Sequence, residues 1–308
     1  VYISRYAFYE TTARYELTNE IVFDEVDSFT CFGKGISGEL KIKEGVIELP
    51  DFTERKSLIS IVIPNTITKI KESTFTNCSN LKKVSLPESL LSIGDGAFYG
   101  CSSLTNINIP NSVTSIGNIA FYNCSSLTNI EIPSSVTTIG GSAFYNCSSL
   151  TNIIIPNSVI SIRTYAFYNC SSIESIKLPQ NIISIENYTF AYCSSLTNVE
   201  IPNSVTSIGS NAFYNCSSLT NIIIPNEVTS IGDYAFYGCS GLTSITISES
   251  VTIIGNWAFY NCKNLMTIYN NSNLTLKFKS SNYGYIAYYA EKIIDIEGNE
   301  HFKDGIYS

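Results

Sequence analysis

Residues 110–132 read Pro110-Asn111-Ser112-Val113-Thr114-Ser115-Ile116-Gly117-Asn118-Ile119-Ala120-Phe121-Tyr122-Asn123-Cys124-Ser125-Ser126-Leu127-Thr128-Asn129-Ile130-Glu131-Ile132, and Pro133 starts the pattern again. Cysteines fall at 78, 101, 124, 147, 170, 193, 216, 239 and 262, every interval being 23. Prolines at 64, 87, 110, 133, 156, 179, 202 and 225 keep the same step. Two residue types sharing one period define an internal repeat, and periods of 20–50 residues mean stacked or radial architectures. Within the quoted unit the apolar positions are Val113, Ile116, Ala120, Phe121, Cys124, Leu127, Ile130 and Ile132.

A unit this short cannot bury its own apolar face, so neighbouring units must stack and share one continuous core. The closing Leu127-x-x-Ile130-x-Ile132 is the strand signature of a leucine-rich repeat. The predicted fold is therefore a β-rich leucine-rich-repeat solenoid. It is right-handed, with 23-residue coils, a parallel strand ladder and short turns or 3₁₀ segments on the opposite side. Adjacent strands would lie ~4.8 Å apart. Nine Cys-bearing coils then make a rod on the order of 40 Å long. Phe75, Phe98, Phe121, Phe144, Phe167, Phe190, Phe213, Phe236 and Phe259 form an unbroken column, read as an aromatic spine in the core. Gly94, Gly117, Gly140, Gly209, Gly232 and Gly255 each follow an inward Ile, which suggests a turn that a β-carbon would hinder. Arg163 and Glu186 occupy the same place, so a positive φ is not obligatory there. Pro ends each strand, where a missing N–H does least harm.

Three segments follow. Residues 41–270 are the solenoid. Its first coil is degenerate: Ile47, Phe52, Leu58, Ile61 and Ile63 keep the register while Arg55 replaces the cysteine. Residues 1–40 and 271–308 are read as caps, the usual device at solenoid ends. The first holds the off-period Cys31. It also holds Ile3-Ser4-Arg5-Tyr6-Ala7-Phe8-Tyr9, which mimics a coil and would otherwise signal a further block of repeats upstream. In the second, Ile286, Ala290 and Ile293 are spaced for one face of a short helix over 283–294. The residues from Asp295 onward are read as a strand or tail.

The unit Ile-Pro-x-Ser-Val-Thr-x-Ile-Gly-x-x-Ala-Phe-x-x-Cys-x-x-Leu resembles the BspA-like class of leucine-rich repeats, over roughly residues 41–270. The resemblance implies a cell-surface or secreted protein of a bacterium or parasitic protist. It also implies an adhesin-like role toward host matrix proteins or other cells. The class has no catalytic motif to carry over.

Composition agrees with a non-catalytic chain. Charged residues make up 14% of the sequence and the formal net charge is −8. That balance lacks the basic footprint of a nucleic-acid binder and the clustered cations that hold a protein on an anionic membrane. No stretch approaches the ~20 apolar residues of a bilayer span, and the first residues lack a signal-peptide pattern. The chain begins at Val, as a mature or excised piece would. Its one histidine, His301, lies in the terminal segment. Glu131 and Glu200 stand three coils apart, too far for paired acid–base work. No cofactor is expected. Neither is a metal, because the cysteines are never at C-x₂-C spacing. They read as a reduced, inward-facing ladder, free Cys being among the most buried residue types.

Two surfaces are candidates for binding. The first is the strand face, where the central outward column contains Asn108, Glu131, Ile154, Lys177, Glu200 and Ile223. Isoleucines are unusual choices for a merely solvated face; the competing reading is a Thr/Asn-rich sheet kept for solubility. The second is an aromatic ladder beside the Phe column. It runs Tyr99, Tyr122, Tyr145, Tyr168, Tyr214, Tyr237 and Tyr260, interrupted at Ala191, with Tyr165, Tyr188, Tyr234 and Trp257 alongside. It suits a protein interface or stacked sugar rings; the competing reading is that each Tyr shields its neighbour's coil. Asn77, Asn123, Asn146, Asn169 and Asn215 precede Cys-Ser and read most simply as turn residues. The expected partner is a macromolecule, most readily a protein. The alternatives are a spacer that projects another domain, or carbohydrate binding on the Tyr ladder.

Overall fold

The computed structural model describes residues 38–42 and 44–303. Cys31 and the segment Ile3–Tyr9 lie outside the described residues. The quoted pattern becomes a solenoid. Three-residue strands such as Asn129–Glu131, Asn152–Ile154, Ser175–Lys177, Asn198–Glu200 and Asn221–Ile223 repeat on one face. They pair in parallel with register offsets of 23, as in Ile130↔Ile153 and Ile222↔Ile245. The ladder already includes Gly38–Lys41, paired with Leu58–Val62. All eight apolar positions of the unit are buried, and one core runs from Leu40 to Ile293.

A second parallel ladder, not anticipated from the sequence, runs along another face. Its rungs are two residues long, among them Ser92–Ile93, Ser115–Ile116, Thr138–Ile139, Ser161–Ile162 and Ser184–Ile185. The inward Ile of each rung is the residue that precedes the glycine column. Those glycines are not at positive φ. In the glycine coils the constraint is closeness instead: a β-carbon on Gly140 would lie 2.5 Å from the carbonyl of Gly117 in the preceding coil.

The third side is a run of turns, not 3₁₀ helix; among the described residues the 3₁₀ segment is Tyr283–Tyr285. Each Cys-bearing coil places two residues in the left-handed region, four apart, as at Tyr165 (φ 61) and Asn169 (φ 55). Asparagine tolerates this region better than other non-glycine residues, which bears out the turn reading of the Asn-Cys-Ser positions. Their amides also join the coils: Asn169 Nδ2 donates to Asn146 Oδ1 at 2.9 Å, and Asn146 Nδ2 to Asn123 Oδ1 at 2.9 Å.

Side chains stitch every coil to its neighbour. The Phe column, extended to Phe52, stacks with centroids 5.1–5.6 Å apart. Each Cys thiol donates to the Phe carbonyl 26 residues earlier, at 3.0–3.2 Å. Thr and Ser hydroxyls do likewise nearer the surface, as in Thr151 Oγ1 to Thr128 O at 3.2 Å and Ser158 Oγ to Val136 O at 2.8 Å. Among the described residues no buried side-chain nitrogen or oxygen lacks a partner.

The end of the ladder departs from expectation. The helix read over 283–294 is a single 3₁₀ turn, because Gly284 takes φ 63 and breaks helical geometry. Ile286 and Ala290 are buried as their spacing required, but Ile293 belongs to the strand Lys292–Asp295. That strand pairs in parallel with Thr267–Asn270, and Glu300–Phe302 folds back on it antiparallel. Asp295 holds this hairpin, accepting from His301 Nε2 (2.9 Å), from Asn299 Nδ2 (3.0 Å) and from the N–H groups of Glu297 and Asn299. These donors, His301 first, lower its carboxyl to about 2.

Candidate binding surfaces

The strand face is built by alternation. In Asn152–Ile154 the middle residue points inward and its two neighbours outward. Ile154 is 59% exposed and Ile223 65%. The ladder aligns Glu131 with Ile154, Lys177 with Glu200, and Ile223 with Thr246, which in turn aligns with the exposed Tyr269. The face therefore alternates apolar knobs with charge along the rod. Asn108 is exposed but lies outside a regular strand; its segment contributes an isolated bridge, Asn106 to Asn129.

The aromatic ladder is continuous. Tyr122, Tyr145 and Tyr168 stack at 4.4 Å, and Tyr214 stacks on Tyr237 at 4.7 Å. Ala191 does not interrupt it: Tyr192, one residue on, bridges the gap. It sits edge-on to Tyr168 at 5.2 Å and tilted to Tyr214 at 5.3 Å. Tyr192 achieves this at φ 63, in the place where other coils carry Asn or Gly. Tyr165 stacks on Tyr188 at 4.5 Å, and Trp257 packs between Tyr234 (6.4 Å) and Tyr285 (4.9 Å). Burial, with the neighbouring hydroxyls of Tyr145 and Tyr192, pushes the Tyr168 phenol well above its usual range. Within the ladder the ring faces cover one another. What it offers outward is edges, hydroxyls and the half-exposed rings at its irregular points.

The described cysteines are closed off from solvent. All nine described are free and buried, and burial pushes their thiols up, to about 12 at Cys78, Cys193 and Cys262. Among the described residues no group of His, Cys, Asp or Glu is placed to hold a metal ion. No described helix is long and apolar enough to cross a membrane.

The model of the BspA type leucine-rich repeat region matches six copies, over residues 45–174 and 160–284. The chain belongs to the BspA-type leucine-rich-repeat family. Solved structures agree with that assignment. The BspA-type solenoid described above is similar to a leucine-rich repeat protein from Bacteroides ovatus, with TM-score 0.70 and 32% identity over 90% of this chain and 71% of that one. It is similar to the leucine-rich repeat protein of T. pallidum, with TM-score 0.51 and 34% identity over 52% and 78% of the two chains. A leucine-rich repeat protein from Eubacterium ventriosum gives TM-score 0.53 and 27% identity over 80% and 71%. Among curated protein sequences none matches the chain. BspA-type repeats point to protein interaction or surface roles, and the fold is generally non-catalytic.

Proposed function

We infer that the chain is a non-catalytic binding protein, displayed on a cell surface or secreted. It engages a macromolecular ligand, a host matrix protein or another cell's surface, with its three-residue-strand face. The observation that carries this reading is the exposure of Ile154 and Ile223 among central strands whose other outward residues are polar or charged. An apolar side chain left in water forgoes roughly 1.5–3 kcal/mol of burial. Set beside Glu131, Lys177 and Glu200, two such knobs give the face both an apolar anchor and a charge pattern, the ingredients of a selective protein surface. The solenoid supplies the extended shape that repeat proteins use for large partners.

Carbohydrate stacking on the Tyr ladder is less favoured, because at Tyr122, Tyr145, Tyr168, Tyr214 and Tyr237 ring faces are taken by neighbouring rings. A spacer role draws support from the near-identity of the coils. The discriminating experiment is a binding screen of the chain against immobilised matrix proteins and glycans, repeated with Lys177→Glu and with Tyr168→Ala. Saturable binding to a protein, weakened by the first change alone, supports the strand face. Binding lost only with the second moves the site to the tyrosines. No binding to any panel member favours the spacer.

A further inference from the structure

We propose that this chain pairs with a second copy of itself across the face of two-residue strands, two-fold and antiparallel, centred between the coils of Ile160 and Ile183. Near-identical repeats act as an internal control: where one column departs from its own consensus, something other than the coil's fold has selected the residue. The residue before each short rung is Thr in most coils, yet Ile160 and Ile183 stand there side by side, 57% and 68% exposed. Three positions on, where six coils carry glycine, the same two coils carry the exposed Arg163 and the half-buried Glu186. The short-strand ladder also divides here. Ser161–Ile162 ends one sheet and Ser184–Ile185 begins the next.

The columns are nearly palindromic about this divide, departing in the third coil out, where Leu91 is answered by Thr252 and its neighbour Ile253. In one direction the outward column reads Ile160, Thr137, Thr114, Leu91. In the other it reads Ile183, Thr206, Thr229, then Thr252 beside Ile253. Leu91 and Ile253 are exposed, each in the third coil out from the centre. The next column is Arg163 followed by three glycine coils one way, and Glu186 followed by three glycine coils the other.

A two-fold axis lying in this face, along the strand direction and between the two central coils, reverses the rod and keeps the strand direction. It sets Ile160 against Ile183 of the second copy, Arg163 against Glu186, and Leu91 against the coil of Ile253, each contact occurring twice. That reciprocity is what an isologous interface requires. The charges fit as well. Arg163 makes no ion pair among the described residues. Glu186 commits Oε2 to the N–H and hydroxyl of Thr164, at 2.9 and 2.8 Å, which leaves Oε1 for an outside donor. The flanking glycines keep their own column low on either side of these two side chains. In a chain of net charge −8, the uncharged Thr column also spares this face the repulsion that two acidic molecules meet elsewhere.

The test is sedimentation equilibrium of the chain over a wide concentration range. A reversible monomer–dimer equilibrium is expected. Ile160→Thr with Ile183→Thr, which restores residues the column already uses, should weaken dimerisation about ten-fold or more without lowering the melting temperature. Arg163→Glu and Glu186→Arg should each be monomeric, since like charges then face one another twice. Mixed in equal amounts, the two should form a heterodimer. If Glu186→Arg does not fold, the Ile pair and Arg163→Glu decide the matter. A chain that stays monomeric throughout, or a dimer indifferent to both of those variants, overturns the proposal.

Discussion

The thiol of Cys147 donates to the carbonyl of Phe121, one coil back, at 3.2 Å. The same carbonyl accepts the N–H of Cys124 at 3.1 Å, so each Phe carbonyl ties its own coil together and holds the next. Taken alone, the inward cysteine ladder read from the sequence would make Cys147→Ser bury a hydroxyl in an apolar stack. The observed acceptor corrects that expectation, because a serine hydroxyl finds a partner there. Cys147→Ser should cost about 1 kcal/mol, no more than Cys147→Ala, which loses both volume and donor. Urea unfolding of the two variants checks the order. A Ser variant several kcal/mol worse than Ala would mean that the carbonyl is not available.

The buried thiols set an alkaline limit. Desolvation raises their ionisation above the ordinary 9.0, to about 12 at Cys193. In the unfolded chain they ionise first, so above about pH 9 the unfolded state binds fewer protons and stability falls as pH rises. Each thiol contributes about 1.4 kcal/mol per pH unit in that window. Nine of them should make the loss steep, with full stability below pH 9 and unfolding well before pH 12. Denaturant midpoints measured at pH 7, 9, 10 and 11 should trace it. A flat profile would mean that the thiols are not buried.

The Phe column should dominate stability. Phe167 stacks between Phe144 at 5.4 Å and Phe190 at 5.6 Å, and Phe167→Ala should cost about 3–5 kcal/mol through the cavity it opens. A calorimetric loss near zero would contradict a load-carrying spine.

Coil spacing predicts a contrast among glycines. Gly140→Ala drives a methyl against the Gly117 carbonyl at 2.5 Å and should cost about 1–3 kcal/mol by overpacking. Gly96→Ala meets only side-chain atoms, 3.6 Å away, so its cost should be the strain of its positive φ, of order 1–2 kcal/mol. Adding a second variant, Gly96→Asn, separates the two causes: asparagine tolerates that φ and should recover most of the loss. Melting curves that show the same recovery for Gly140→Asn would remove the distinction.

Where the sequence was legible, the reason is repetition. Phe121, Cys124 and Leu127 recur in every coil from Phe75 to Leu265, with Ile173 the one variant, so the coil length and the inward set could be read directly. The short-strand ladder escaped because Ser115–Ile116 is too brief to show strand alternation. Tyr192 escaped because it compensates for Ala191 by a left-handed backbone, which no pattern of residue types announces. The closing hairpin escaped because Ile286, Ala290 and Ile293 sit at helical spacing, while their backbone is set by Gly284 and by the free edge of Thr267–Asn270. Of the outward columns, exposure could be read from alternation at Ile154 and Ile223. The partner they meet is not written in any single coil.

The most direct measurement is the affinity of an Ile154→Thr, Ile223→Thr double variant for whichever matrix protein the chain binds. Threonine already fills this column at Thr246, so the fold should be untouched and the melting temperature unchanged. An affinity weaker by about ten-fold or more is the predicted result. Unchanged affinity in a folded double variant would contradict a strand-face binding site.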